Sequence, residues 1–373
     1  MNFQDQIKKL LKILIFLNLT SSILHDFQCS NTVIMPYIVL SSQKYIATWL
    51  LISALMVFLM VIIGGITRLT GSGLSMVEWR PLLGFLPPMS DLEWNRVFDL
   101  YKLSPEYIYK NHGIELHEFK KIFFWEYFHR LWGRLIGFVF IIPLIIFLFF
   151  KQIPKKTLNK VFLILLLGSL QGFIGWWMVK SGLVNDPSVS QYRLTVHLSN
   201  ALLILFLLVW AYLDTKEGHS AIKFNFSFLV FLILSTTIVA GAFVAGMDAG
   251  LMYNEYPLMG GNLIPENYGE YKFLDPFENP ASAQFHHRHL ALLTIITVLI
   301  YSFKSYSSNK DLKSKRIAIF LSCVVCFQFL LGIVTLINMV PVHLGALHQT
   351  GAVILFICFT ISMHRNNMNV KTN

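Results

Sequence analysis

The sequence predicts an all-α integral membrane protein: eight transmembrane helices arranged as two four-helix bundles related by a pseudo-twofold axis. Three observations predict it. Of 373 residues, 55% are hydrophobic and 13% charged, and the mean hydropathy is +0.59; a water-soluble domain of this composition would expose too much apolar surface. Long runs without a charged residue recur along the chain, each sufficient to cross roughly 30 Å of hydrocarbon as a helix. Motifs of the first half return in the same order in the second, which is the signature of an internal repeat.

The spans follow in order. The intervals Lys44–Arg68, Lys160–Lys180, Arg193–Asp214 and Lys223–Asp248 each enclose one uncharged run. The apolar stretches after Arg134 and after Arg288 add two more, and Arg316–Arg365 holds a pair joined by a turn at Asn338–Pro341. The net charge of +10 does not point to nucleic acid. It concentrates in short loops, one with Lys151, Lys155, Lys156 and Lys160, another with Lys304, Lys310, Lys313, Lys315 and Arg316. Short basic loops stay on the cytoplasmic or matrix side. The longer segments Thr67–Lys121 and Asp248–Ala283, the second acidic, then face outward, and both termini face inward.

Residues 1–44 form an N-terminal extension. Its "KKLLKILIFL" is basic then apolar but too short to span; a targeting leader, a surface-lying helix and a true start at Met35 are all compatible with it. Of the four cysteines, Cys323 and Cys326 make a CxxC within an apolar run, where small apolar packing is the expected role. Cys29 and Cys358 lie elsewhere, and no pair falls in the outward segments, so no disulfide is expected there.

The repeat is read from "GLSMVEW" at Gly73 against "GLMYNEY" at Gly250, "PLLG" at Pro81 against "PLMG" at Pro257, and "YFHR" at Tyr127 against "FHHR" at Phe285. "QGFIG" at Gln171 matches "QFLLG" at Gln328, and "HLSNA" at His197 matches "HQTGA" at His348. The bundles are assigned to 45–214 and 215–364, with a tail at 365–373. Four spans per unit is even, so the two units keep one orientation, as parallel repeats do.

Each unit has one histidine near the start of its second helix and one near the start of its fourth: His129 and His197, then His287 and His348. All four fall at one depth, near the outer surface. A lone buried histidine is usually a hydrogen-bonded core residue, but four at repeat-related positions suggest ligands. Two imidazoles on facing helices suit a haem iron held axially, whereas zinc or copper would gather three or four donors. Gly133 and Gly137 continue the face of His129 and leave room for a macrocycle. Arg130, Arg134, Arg193 and Arg288 stand beside the histidines, either snorkelling to the interface or pairing with haem propionates. His286 and His289 read as boundary residues, and His25, His112, His117, His219, His343 and His364 as surface. The halves differ at one ionisable position: Glu126 precedes His129 by three residues, where Gln284 precedes His287. Glu126 can pair with Arg130 at i, i+4, or serve as a proton-handling acid in a first, catalytic unit.

These motifs resemble a known family. "GGITRLTGSGLSMVEWRPLLGFLPP", "EYFHR", "VKSGL", "VHLSNA", "VAGMDAGLMYNEYPLMGG", "QFHHR" and "LHQTGA" are similar to the haem A synthases of proteobacteria and mitochondria, from about residue 45 to residue 363. The resemblance implies eight spans in two bundles and oxidation of the C8 methyl of haem O to a formyl group, giving haem A for terminal cytochrome oxidases. It implies substrate haem on His129 and His197, haem b on His287 and His348, and a catalytic role for Glu126. Implied partners are haem O, an electron donor such as a ferredoxin or quinol, haem O synthase, oxidase assembly factors and a second copy of the chain, with no nucleic acid. The implied location is an inner membrane, with the ligands near the periplasmic or intermembrane face; residues 1–44 carry lysine but no arginine, which favours a bacterial membrane over the mitochondrial alternative. The outer-loop cysteine pairs of some bacterial relatives have no counterpart here. A di-haem b-type cytochrome devoted to electron transfer is the rival reading, and a transporter the third.

Overall fold

Within hydrocarbon only a helix satisfies every backbone N–H and C=O of a single segment, and the apolar runs adopt that form. The computed structural model describes residues 31–79, 85–184, 187–308 and 311–368. The helices are α1 (Asn31–Leu69), α2 (Asp91–Lys102), α3 (Pro105–Tyr109), α4 (Leu116–Phe149), α5 (Lys155–Ser181) and α6 (Gln191–Lys216). They continue with α7 (Phe226–Gly246), α8 (Asp275–Glu278), α9 (Pro280–Ser308), α10 (Leu312–Ile337) and α11 (Val342–Asn367). Eight of the described helices are long and apolar enough to cross a membrane: α1 from Gln43, then α4, α5, α6, α7, α9, α10 and α11. The chain is therefore a multi-pass helical membrane protein, and among the described residues there is no β-strand beyond an isolated bridge, Met259 with Asn262. The turn expected at Asn338–Pro341 separates α10 from α11. The expectations for the first 30 residues of the leader, His25 and Cys29 among them, lie outside the described residues.

Residues 46–373 form one compact unit. Its core runs between α1, α6, α7 and α11, with Leu50, Leu205, Leu234 and Phe359 each at most 2% exposed. Many outward-facing side chains of the spans are apolar and exposed, Ile142, Leu166 and Leu330 among them, as lipid-facing positions require. Cys323, Cys326 and Cys358 are free thiols, and the last two pack against this core, in agreement with their reading as small apolar residues.

The segment between α1 and α4 carries its own small core. Ser90 caps α2 by accepting from the Glu93 N–H (3.3 Å), and Ser104 caps α3 from Tyr107 (3.3 Å) with Pro105 in its first turn; these are the standard partners for orphan N-terminal amides. Phe98, Tyr101, Phe119 and Phe123 then bury against one another, Phe98 stacking on Phe119 at 4.9 Å. Glu106 is enclosed by this cluster at 5% exposure and accepts from the Tyr101 hydroxyl at 3.0 Å. Burial pushes its carboxyl up to about 7. A raised acid binds its proton more tightly folded than unfolded, so this contribution favours the fold below the ordinary carboxylate range and is lost as pH rises towards 7. Amide exchange across residues 91–110, corrected for intrinsic rates, is expected to be faster at pH 8 than at pH 6, and Glu106→Gln to flatten that difference.

At the opposite end Asp214 of α6, half-buried, gathers Lys160 of α5, His364 Nε2 of α11 (2.9 Å), the Ser220 N–H (3.0 Å) and His219 Nδ1 (3.3 Å). His364 is 0% exposed and meets the Trp210 ring edge-on at 4.9 Å, which corrects its reading as surface. His112, His117, His219 and His343 are exposed as expected. Arg365 bonds Glu217 at 2.8 Å beside it, and Lys313 reaches the same carboxylate. The basic residues of the short loops thus close a charged seam across α5, α6, α10 and α11.

Candidate functional site

Each of the four histidines rests against a glycine of a neighbouring helix. A Cβ at Gly64 of α1 would lie 3.2 Å from His129 Nε2; at Gly175 of α5, 3.0 Å from His197 Cε1; at Gly241 of α7, 3.0 Å from His287 Cε1; and at Gly332 of α10, 2.8 Å from His348 Cε1. A side chain at Gly332 would force its ring to shift, and one at Gly64, Gly175 or Gly241 would press on its ring, so the four glycines help set where the rings stand. All four histidines are half-buried. The two glutamines of the sequence repeat also reach them. Gln171 Nε2 donates to the His197 carbonyl (3.1 Å) and lies 3.3 Å from its ring nitrogens; Gln328 Nε2 donates to the His348 carbonyl (2.9 Å) and lies 3.1 Å from Nδ1. The surroundings then diverge. Asn200 donates to Gln171 Oε1 at 2.7 Å, while its aligned position holds Gly351, against which Gln328 packs.

The second pair faces itself directly. The rings of His287 and His348 stand 6.4 Å apart between centroids, their planes at 87°. His287 Nδ1 lies 3.1 Å from the Thr237 carbonyl; donation there leaves Nε2 with a free lone pair. His129 and His197 lie within electrostatic reach of each other. Among the described residues no group of three or more histidine, cysteine or carboxylate side chains is placed to hold a metal ion. Of the glycines expected to extend the His129 face, Gly133 backs onto Met60 of α1 at 3.4 Å and Gly137 has nothing within 4 Å. His286 sits 3.3 Å from the Tyr268 hydroxyl and His289 bonds the Phe285 carbonyl at 2.8 Å, consistent with boundary roles.

Two of the arginines hold the segments between spans, Arg130 that between α1 and α4 and Arg288 that between α7 and α9. Arg130 donates to the Met76 carbonyl (2.9 Å), the Glu78 carbonyl (3.1 Å) and Glu126 Oε1 (2.5 Å), and lies over Trp79 at 5.1 Å. Arg288 makes the corresponding contacts, to the Tyr253 carbonyl (2.9 Å) and the Leu258 carbonyl (3.0 Å); Tyr253 aligns with Met76. Arg193 bonds the Trp177 carbonyl at 2.7 Å and stacks on its ring at 4.5 Å, and Arg134 lies over Phe85 at 5.5 Å. Neither snorkelling nor propionate pairing had anticipated this latch.

Glu126 is 2% exposed and saturated. Its Oε2 accepts from the Ser75 hydroxyl and the Met76 N–H, each at 2.7 Å, while Oε1 takes Arg130. Gln284, equally buried, instead donates to the Tyr253 carbonyl at 3.1 Å. Acid and amide thus select opposite backbone groups of the aligned loops, an N–H in the first half and a C=O in the second. Of these site features, sequence reasoning missed the imidazole-bearing glycines and the loop latch. Gly175 and Gly332 were in view, since they close the matched "QGFIG" and "QFLLG" motifs.

The fold and site define a class: a polytopic helical membrane protein with four imidazoles seated on glycines near the mouths of its spans. A family model described as cytochrome oxidase assembly protein, COX15-CtaA, matches residues 47–360. The chain belongs to that family. It is similar to the Heme A synthase of Nitrosospira multiformis, 44% identical over 327 residues, covering 84% of this chain and 91% of the relative. It is likewise similar to those of Granulibacter bethesdensis (43%; 86% and 86%) and Pelagibacter ubique (41%; 87% and 97%).

Proposed function

We infer that this chain is a haem A synthase, a membrane oxidoreductase that converts the C8 methyl of haem O into the formyl group of haem A. The observation that carries the reading is identity of 41–44% to Heme A synthases over most of both chains. The donor chemistry fits. The His287 and His348 rings, 6.4 Å apart between centroids, would hold one haem iron between them. We assign His287 and His348 to a resident haem b, and His129 and His197 to the substrate haem, within two repeat-related bundles. Bound haem supplies an iron able to activate an oxidant. The protein's own part is to seat that group: glycines 64, 175, 241 and 332 fix ring positions, and Arg130 and Arg288 keep the outer segments closed over the mouths. Arg134 and Arg193 remain on the same rim, where a guanidinium suits a propionate. Glu126 is the one buried carboxylate three residues from a ligand, and we assign it the handling of protons at the first site. The reading places the enzyme in an inner membrane with both sites near its outer face, served by a ferredoxin or quinol class of electron donor.

Expression beside a haem O synthase, followed by extraction and identification of the haems, tests the activity: haem A should form, and its absence from a haem-loaded protein would favour the electron-transferring di-haem cytochrome instead. Against that rival stands the Glu126/Gln284 difference, for which a pure electron wire has no use. The seats can be tested separately. Gly332→Ala puts a methyl 2.8 Å from His348 Cε1, so the ring must shift. The expected outcome is normal membrane insertion with at least a severalfold loss of the second-site haem, read by pyridine haemochrome spectra.

A further inference from the structure

We propose that Ser75 is a proton relay joining Glu126 to an outward cavity, and that this route is built in the first half of the chain alone; the proposal rests on Glu126 handling protons at the first site. A cavity of about 370 Å³ lies against the outer segment, with Ser75, Met76, Phe123 and Arg130 in its wall and Glu78 and Arg96 also lining it. It is polar enough to hold water and large enough for several molecules, each occupying roughly 30 Å³ in the liquid. Glu126 itself is not in that wall. Between the carboxylate and the cavity stands Ser75, 2% exposed, its Oγ 2.7 Å from Glu126 Oε2, 3.1 Å from the Ser72 carbonyl and 3.4 Å from the Ile122 carbonyl.

The choice among the three partners of the carboxylate is made by chemistry. The Arg130 guanidinium keeps its protons in proteins, and the Met76 amide has none to exchange on this timescale. A hydroxyl both donates and accepts. In release, the acid proton of Glu126 passes to Ser75 Oγ while the serine's own proton passes to cavity water, leaving a carboxylate and a hydronium ion; uptake is the reverse. Arg130 holds Oε1 throughout, so Oε2 is the oxygen that exchanges, while Glu106 lies within electrostatic reach of the carboxylate across the aromatic cluster.

The second half lacks both parts. In the aligned "GLSMVEW" and "GLMYNEY" stretches Met252 takes the place of Ser75, and Gln284 takes the place of Glu126. A thioether and an amide cannot pass a proton between them.

The test uses the full chain in membranes that also contain haem O synthase. Ser75→Ala should slow haem A formation at least tenfold, with bound haem measured by haemochrome spectra unchanged. Small acids able to enter the cavity, formic acid or imidazolium, should restore the rate in proportion to their concentration. Ser75→Thr, which keeps the hydroxyl, should recover most of it. A wild-type rate in Ser75→Ala while Glu126→Gln is inactive overturns the relay and leaves the role of Glu126 standing. Wild-type rates in both remove the role of Glu126 as well. A slow Ser75→Ala that neither threonine nor small acids rescue, or one that loses haem, makes Ser75 a structural latch and also overturns the relay.

Discussion

Glu126→Gln is expected to keep both haems bound yet lower haem A output at least a hundredfold, the usual scale for losing a positioned acid–base group. Haem O or a hydroxylated intermediate should accumulate, and extraction and separation of the haems reads this directly. The substitution is close to isosteric, and the protein contains its own precedent for the amide: Gln284 is buried at the aligned position and its Nε2 donates to the Tyr253 carbonyl. In the first half the loop offers the Met76 N–H and the Ser75 hydroxyl, so the introduced amide would present its NH2 group to a donor unless the loop readjusts. Some loss of stability accompanies the variant, because Arg130 loses the carboxylate it bonds and an unpaired buried charge is costly. The bound-haem measurement separates the two effects: unchanged haem with blocked oxidation assigns Glu126 to the reaction, whereas loss of haem assigns it to the latch.

The second large effect concerns occupancy. His287→Ala removes one of two rings standing 6.4 Å apart, and a haem iron left with one axial imidazole has lost half of its protein ligation. The expected result is loss of about half the total haem, with the haem remaining being the substrate type and haem A formation abolished. His129→Ala should give the complementary loss. Equal loss of both haems in either variant would mean that the four histidines do not work as two pairs. Membrane insertion should be unaffected, since α9 stays strongly apolar beyond His289.

Much of this was legible in the residues, and the reasons are physical. A bilayer permits few backbone solutions, so charge-free runs alone locate the spans, and the eight long helices fall where those runs lie. The four histidines came into view because matched motifs display each position twice, and the Glu126/Gln284 difference because the same match exposes what changes. The outer segments were not legible. Their contacts are irregular backbone groups reached from far along the chain, as Arg130 reaches Met76 and Arg68 reaches Asp248 at 2.7 Å, and no periodicity announces them. His364 was misread for a related reason. It follows an apolar run and looks like the start of a polar tail, but Asp214, remote in sequence, draws it inward.

The two adjacent glycines of α1 carry a last consequence. Gly64 backs the His129 ring, while Gly65 abuts Gln349, the residue after His348, whose amide bonds the Val61 carbonyl. One stretch of one helix is therefore a party wall between neighbouring rooms. Neither room can be widened by retreat of that wall without narrowing the other, so adaptation to a bulkier guest on one side has to come from the far helices, α4 or α10.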